Sequence, residues 1–217
     1  MNEVKPFTRL NFPADDDVII RLPIGEVVLI NGVILTARDR AHKWLYDKFI
    51  IKTDPVSDAD SAIYRDLKQV LHNNCIYHCG PVISGNEQDG YTFLSAGPTT
   101  SMREEYYQSE IIQHFHLKGI IGKGGMGAKT LSALKQERAV YLHAVGGAAA
   151  VIAETVREVL TVYKLEFGVP EAMWLIRVED FPAIVTMNAK GESLHVQVMR
   201  DSGLKLEKLL SAGQKER

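Results

Sequence analysis

Cysteine is nearly missing from this chain: Cys75 and Cys79 are the only two in 217 residues. Two thiols fall short of a complete structural zinc or iron-sulfur ligand set, so no metal site made of the chain's own residues is expected. Their CxxxC spacing encloses Tyr77 and His78. Partial metal ligation with His78 is the functional alternative, and two small, half-buried strand residues is the reading adopted. A disulfide is not expected in a reducing compartment. An excess of one charge is lacking too: 25 Lys and Arg stand against 27 Asp and Glu, a formal net charge of -2. Without a basic surplus there is no footprint of nucleic-acid or membrane-surface binding, and any cationic site must be local. No apolar run approaches transmembrane length, and Asp15-Asp16-Asp17 interrupts the N-terminal region where a signal peptide would need an apolar core. A cytoplasmic protein is expected. Internal repeats and low-complexity segments are also absent.

What is present is enough apolar material, 46% of residues, for one sizeable domain. Strands and helices alternate with hairpins mixed in, which points to an α/β fold with a mixed sheet and flanking helices. Residues 1–24, punctuated by Pro6, Pro13 and Pro23, read as an N-terminal extension packed on the domain; residues 25–200 form the domain and 201–217 a tail helix. Glu26 to Leu35 reads as two strands turning at Asn31-Gly32, a strong hairpin signal. Trp44, Leu45 and Phe49 recur at helical spacing, as do Tyr107, Ile111, Ile112 and Phe115. Residues 151–160 are expected to be helical, and 174–178 and 183–187 to be two closing strands.

The chemistry gathers at strand-to-helix junctions. The first is Thr36-Ala37-Arg38-Asp39-Arg40-Ala41-His42, which in isolation reads as a salt bridge at a helix start with a surface or packed histidine; within the constellation below, Asp39 and His42 are expected to position Arg38. The second is Gly97-Pro98-Thr99-Thr100-Ser101-Met102-Arg103, which sets hydroxyls and a cation at a helix start, an arrangement suited to a carboxylate. Thr100 is expected to cap the following helix. The third is Gly122-Lys123-Gly124-Gly125-Met126-Gly127, whose glycines, Gly122 and Gly124 among them, free backbone N–H groups for an anion. This loop matches neither GxxxxGK[ST] nor GxGxxG, so a non-catalytic anion- or nucleotide-binding module is the alternative rather than the leading reading. Ligands of α/β folds bind where strand C-termini meet helix N-termini, so Arg38, Thr99, Arg103 and Lys123 are expected to converge. Three cations in one crevice would need a small dianion, such as a dicarboxylate, to offset their repulsion.

The segments TARDRAH, YHCGP, GPTTSMR, IIGKGGMG and VGGAAA, in this order, resemble the β subunit of iron-sulfur hydro-lyases of the class I fumarase and L-tartrate dehydratase family. The resemblance spans roughly Gly25 to Asn188. It implies a swivelling β/β/α domain that forms half of an active site. The other half would be an α subunit holding a four-iron four-sulfur cluster, in a hetero-oligomer or around a β–β dimer. It also implies Thr99 as the catalytic base, with Arg38, Arg103 and Lys123 binding the substrate, a four-carbon 2-hydroxy dicarboxylate. The GKGGMG form of the lysine loop leaves malate or fumarate and L-tartrate both open.

Overall fold

The computed structural model describes residues 7–215, with side chains to 211. In chain order the first half contains β1 (Thr8–Phe12), α1 (Asp16–Ile19), β2 (Val27–Thr36), α2 (Asp39–Leu45), α3 (Asp58–Val70), β3 (Cys75–Tyr77), β4 (Val82–Asn86) and β5 (Gly90–Ser95). The second half contains α4 (Glu105–Phe115), β6 (Gly119–Gly122), α5 (Ala128–Gln136), β7 (Val140–His143), α6 (Ala149–Glu154), β8 (Val156–Tyr163), β9 (Met173–Met187) and α7 (Leu194–Lys215). A π-helical turn, Tyr46–Ile50, extends α2, and a 3-10 turn, Ser101–Glu104, leads into α4.

Seven strands form one mixed sheet in the order β1-β2-β3-β6-β7-β9-β8, and β2 pairs with β9 as well. That extra ladder makes β2, β3, β6, β7 and β9 a closed ring. Side chains along a strand point alternately to its two faces, so a sheet covered on both faces needs apolar residues at consecutive positions. The central strands obey this. Cys75, Tyr77, Ile121, Val140 and Leu142 enter one core, while Ile76, Ile120 and Tyr141 enter a second. Helices α2 to α5 cover the second core through residues such as Trp44, Leu67, Ile111 and Leu134. The β4–β5 hairpin covers the first core, with Tyr91 and Phe93 packed edge-on to Trp174. Two sheet layers and one helical layer result, the β/β/α arrangement expected. Among the described residues, no helix is long and apolar enough to cross a membrane.

Three local expectations are corrected. Asn31-Gly32 does not turn a hairpin: β2 runs straight through it, with a register shift between Ile30 and Gly32 against β9. Both edges of β2 are occupied there, by β1 and β9, so the dipeptide makes a bulge instead. Gly32 has φ +109, and a Cβ on it would lie 2.1 Å from the Phe12 carbonyl oxygen. Asn31 Oδ1 accepts from the backbone N–H of Asp180, which lies on β9 with φ +53. For the same reason 174–178 and 183–187 are not separate strands. They are the two ends of β9, joined through the irregularity at Asp180.

The helix expected over 151–160 stops at Glu154, and Val156 to Tyr163 is strand. Val156, Val159 and Val162 pack on the first core at intervals of three, a helical spacing. Register shifts between Val156 and Glu158 and between Val159 and Thr161 produce it. Each shift inserts one residue, turning the strand's period of two into three.

Trp174 ties the layers together. It is fully buried, its backbone N–H donates to Thr36 Oγ1 at 3.0 Å and its indole N–H to the Val169 carbonyl at 2.9 Å. Trp174→Ala is expected to lower unfolding free energy by about 3–5 kcal/mol. Urea titration would measure it, and a loss under about 1 kcal/mol would show that the hairpin packs independently of this side chain.

Candidate active site

β2, β3, β6 and β7 run parallel, so their C-terminal ends reach the same side of the sheet. Arg38 lies just past β2, His78 follows β3, Lys123 follows β6, and His143 ends β7. A further segment, arriving from β5, wedges between the ends of β3 and β6. The Thr99 N–H donates to the His78 carbonyl at 2.8 Å. The Lys123 N–H donates to the Thr99 carbonyl at 3.2 Å, and the Ser101 N–H to the Lys123 carbonyl at 3.1 Å. Pro98, which has no N–H to satisfy, is buried opposite Cys79. Thr99 is thereby pinned on both backbone edges, and its Oγ1 is buried without a hydrogen-bond partner.

Arg38 and Arg103 meet through Asp39, whose carboxylate lies 3.5 Å from the first guanidinium and 3.2 Å from the second. Glu171 also holds Arg38, at 3.1 Å. The expected mutual repulsion of the cations is therefore already moderated by two carboxylates of the chain itself. Lys123 makes no ion pair among the described residues; its aliphatic stem runs past Gly146. The two arginines are thus joined directly, whereas Lys123 is linked to them through the pinned backbone of Thr99 to Ser101.

Beneath this surface lies a buried polar layer that the sequence reading assigned no role, apart from placing His42 beside Arg38. His42 and His78 are fully buried, with ring centroids 5.0 Å apart. His42 Nδ1 faces the Arg38 carbonyl at 3.0 Å, so His42 holds the arginine's backbone rather than its guanidinium. The Gln108 amide sits between the rings, its Oε1 3.1 Å from His42 Nε2 and 2.8 Å from His78 Nε2. Ser101 Oγ lies 2.8 Å from His78 Nδ1 and accepts from the Tyr141 hydroxyl at 2.8 Å. Burial pushes both histidine pKa values down, that of His78 well below the usual range, so the rings are neutral.

Neutrality fixes the direction of the bonds. His42 has one N–H, and the Arg38 carbonyl takes it, so Nε2 must accept. Only the amide nitrogen of Gln108 can supply that hydrogen, which orients the amide with its NH2 between the two rings. That orientation also satisfies the Gln108 nitrogen, which otherwise lacks a partner. A signal for this layer does exist in the sequence. Ser101, Glu104 and Gln108 continue, at intervals of three and four, the buried stripe of Ile111, Ile112 and Phe115.

The far end of the glycine loop serves the chain itself. The N-terminus of α5 is already occupied by the Glu105 carboxylate, which accepts from Gly127 N–H at 2.8 Å, Thr130 N–H at 3.2 Å and Thr130 Oγ1 at 2.7 Å. A phosphate has no free helix end there. Gly124 is exposed with open space around it. Gly122 makes room for the polar layer instead: a Cβ on it would lie 1.9 Å from Ser101 Oγ. Thr100 stands at the cap position of the 3-10 turn, but its side chain makes no capping bond. Cys75 and Cys79 are free and fully buried, beyond the half-burial expected.

The family model described as Fumarase C-terminus matches residues 7–198. The chain is 45% identical over 200 residues to a Geobacillus stearothermophilus protein named "Putative fumarate hydratase class I", covering 92% of this chain and 35% of that protein. The chain therefore spans about a third of the length of that relative. It is 36% identical over 192 residues to a Methanocaldococcus jannaschii protein named "Putative L(+)-tartrate dehydratase subunit beta", covering 88% and 92% of the two chains. With the L(+)-tartrate dehydratase subunit beta of Escherichia coli K12 it shares 31% identity over 186 residues, 85% of each chain.

Gly122→Ala is expected to destabilise the chain by about 1–3 kcal/mol. Adding Ser101→Ala removes the obstructing oxygen, so the double variant should be less destabilised than the sum of the singles. Denaturant unfolding of the full cycle tests this, and strict additivity would show that the two sites do not touch.

Proposed function

The chain belongs to the fumarase C-terminus family, and on that footing we propose that it is the β component of a hydro-lyase that reversibly dehydrates a four-carbon 2-hydroxy dicarboxylate, malate or L-tartrate. One observation carries the reading: Thr99 Oγ1 is buried and unpartnered on a backbone bonded to His78 and Lys123, and in this reading Arg38, Arg103 and Lys123 supply the cations around it. A hydroxyl left without a partner in a folded interior costs about 1–3 kcal/mol, a loss that makes sense where the group must act on something else.

Dehydration removes a weakly acidic proton from the carbon beside a carboxylate, and negative charge builds on that carboxylate in the transition state. Arg38, Arg103 and Lys123 are fixed cations for that charge and for the substrate's second carboxylate. In this reading Thr99 Oγ1 takes the C–H proton. A threonine hydroxyl is a poor base unless nearby positive charge stabilises its alkoxide, and the same cations provide that. The C–H electron pair forms the new double bond as the hydroxyl leaves, with a proton from a donor on the partner, as water. Asp39 and Glu171 keep the arginines oriented until the dicarboxylate arrives.

The partner is an α subunit, a role supported by the word "beta" in two relatives' names. A four-iron four-sulfur cluster, the group the family resemblance implies, does not fit residues of this chain. Both thiols are fully buried, and burial pushes the Cys79 thiol up to about 12, where it holds its proton. We therefore assign the cluster to the α subunit and the complex to the cytoplasm. A phosphate- or nucleotide-binding role is disfavoured by Glu105, which fills the helix end such a ligand would use.

Co-expression with the α-type partner without oxygen, followed by assays on malate, fumarate and tartrate, tests the reading. Activity with none of them would overturn it. In the assembled enzyme, Thr99→Val should cut turnover by roughly 10²–10⁴-fold with folding intact. Near-normal turnover would remove Thr99 as the base. Arg103→Ala and Lys123→Ala should chiefly raise KM, and unchanged KM in both would remove the proposed carboxylate wall.

A further inference from the structure

Glu104 has no part in the account so far, yet it is fully buried at the foot of the site. Neither of its carboxyl oxygens receives a hydrogen bond. A carboxylate in that position would have only its own backbone N–H and the Arg103 charge to offset its burial, a costly arrangement. The polar group beside it is another carboxyl, Asp39, close enough for a hydrogen bond if one of the two carries a proton. Asp39 is also the group that joins Arg38 to Arg103.

We propose that Glu104 is a positioning residue that sits in the site as a neutral acid, hydrogen-bonded through its proton to Asp39, and that this shared proton sets how much positive charge Arg38 and Arg103 present to a dicarboxylate. The proposal rests on the hydro-lyase reading for its ligand and on the burial of Glu104 beside Asp39 for its proton.

The surroundings agree. The charged and titratable groups facing Glu104 are Asp39 from α2, Arg103 from its own turn and the Tyr141 hydroxyl from β7. The buried rings of His42 and His78 nearby are uncharged. Burial first, then the Asp39 charge, pushes the Glu104 carboxyl up to about 8, and Arg103 offsets this only in part. Near neutral pH Glu104 therefore adds no charge beside Asp39. Above about pH 8 it adds one, and the arginines that Asp39 joins are further neutralised from within. An incoming dianion then meets a weaker field. Because the folded state holds this proton to higher pH than the unfolded chain does, Glu104 also makes stability fall as pH rises from about 4.5 to about 8.

Two measurements decide it. In the full chain labelled with carbon-13 at glutamate side-chain carboxyls, Glu104 should titrate near pH 8, assigned by its loss in Glu104→Gln, and Asp39→Asn should move the midpoint down. In the enzyme assembled with its α partner, KM for malate or tartrate should rise roughly tenfold between pH 7 and pH 9. Glu104→Gln should flatten that rise while leaving kcat within about twofold. A midpoint in the ordinary carboxylate range overturns the shared proton. A high midpoint with the same KM rise in Glu104→Gln overturns its control of binding. If no four-carbon hydroxy acid turns over, the hydro-lyase reading falls, and the midpoint with its response to Asp39→Asn still decides whether the proton is shared.

Discussion

A short run of extended backbone, Thr99 to Ser101, is hydrogen-bonded along both edges to the ends of β3 and β6, and the remainder of the site takes its position from that splice. Backbone bonds of this kind are individually modest, about 0.5–1.5 kcal/mol, but they remove the freedom of the residue that carries the unpartnered hydroxyl. They also deliver Ser101 into the interior and leave Arg103 on the surface two residues later. A loop not tied in this way would place the same three side chains with far less precision.

The layer under the splice explains why the site can be both polar and rigid. Two neutral histidines, an amide, a serine and a tyrosine saturate one another, so the strand ends rest on a hydrogen-bonded floor rather than on hydrocarbon. The floor holds no charge of its own. Charge is confined to the arginines, the lysine and the acids around them, where a ligand can sense it.

Much of this was legible in the sequence because short motifs with fixed spacing carry it. Arg38 and Lys123 do follow parallel strands of one sheet, as their position after apolar runs implied, whereas Thr99 and Arg103 arrive from β5 of the separate hairpin. What escaped was whatever depends on distant pairing. Asn31-Gly32 has the composition of a hairpin, and only the presence of strands on both sides turns it into a bulge. β8 mimics a helix because two bulges stretch its buried valines to every third residue. His78 and Gln108 acquire meaning only when residues 30 positions apart in the chain touch. The far end of the glycine loop, at Gly127, is met by Glu105, a neighbour in space that spacing within the loop could not reveal.

The closed ring of strands has a consequence for assembly. Five strands of the seven-stranded sheet have both edges satisfied, so among the described residues β1 and β8 are that sheet's borders. β8 is fringed by ion pairs, Arg157 with Glu179 and Glu158 with Arg177, a pattern that discourages another strand from adding on. A companion polypeptide therefore gains little by extending the sheet. In the proposed complex, the face where the parallel strands terminate, with its half-exposed Arg103, is the surface left for a companion to cover.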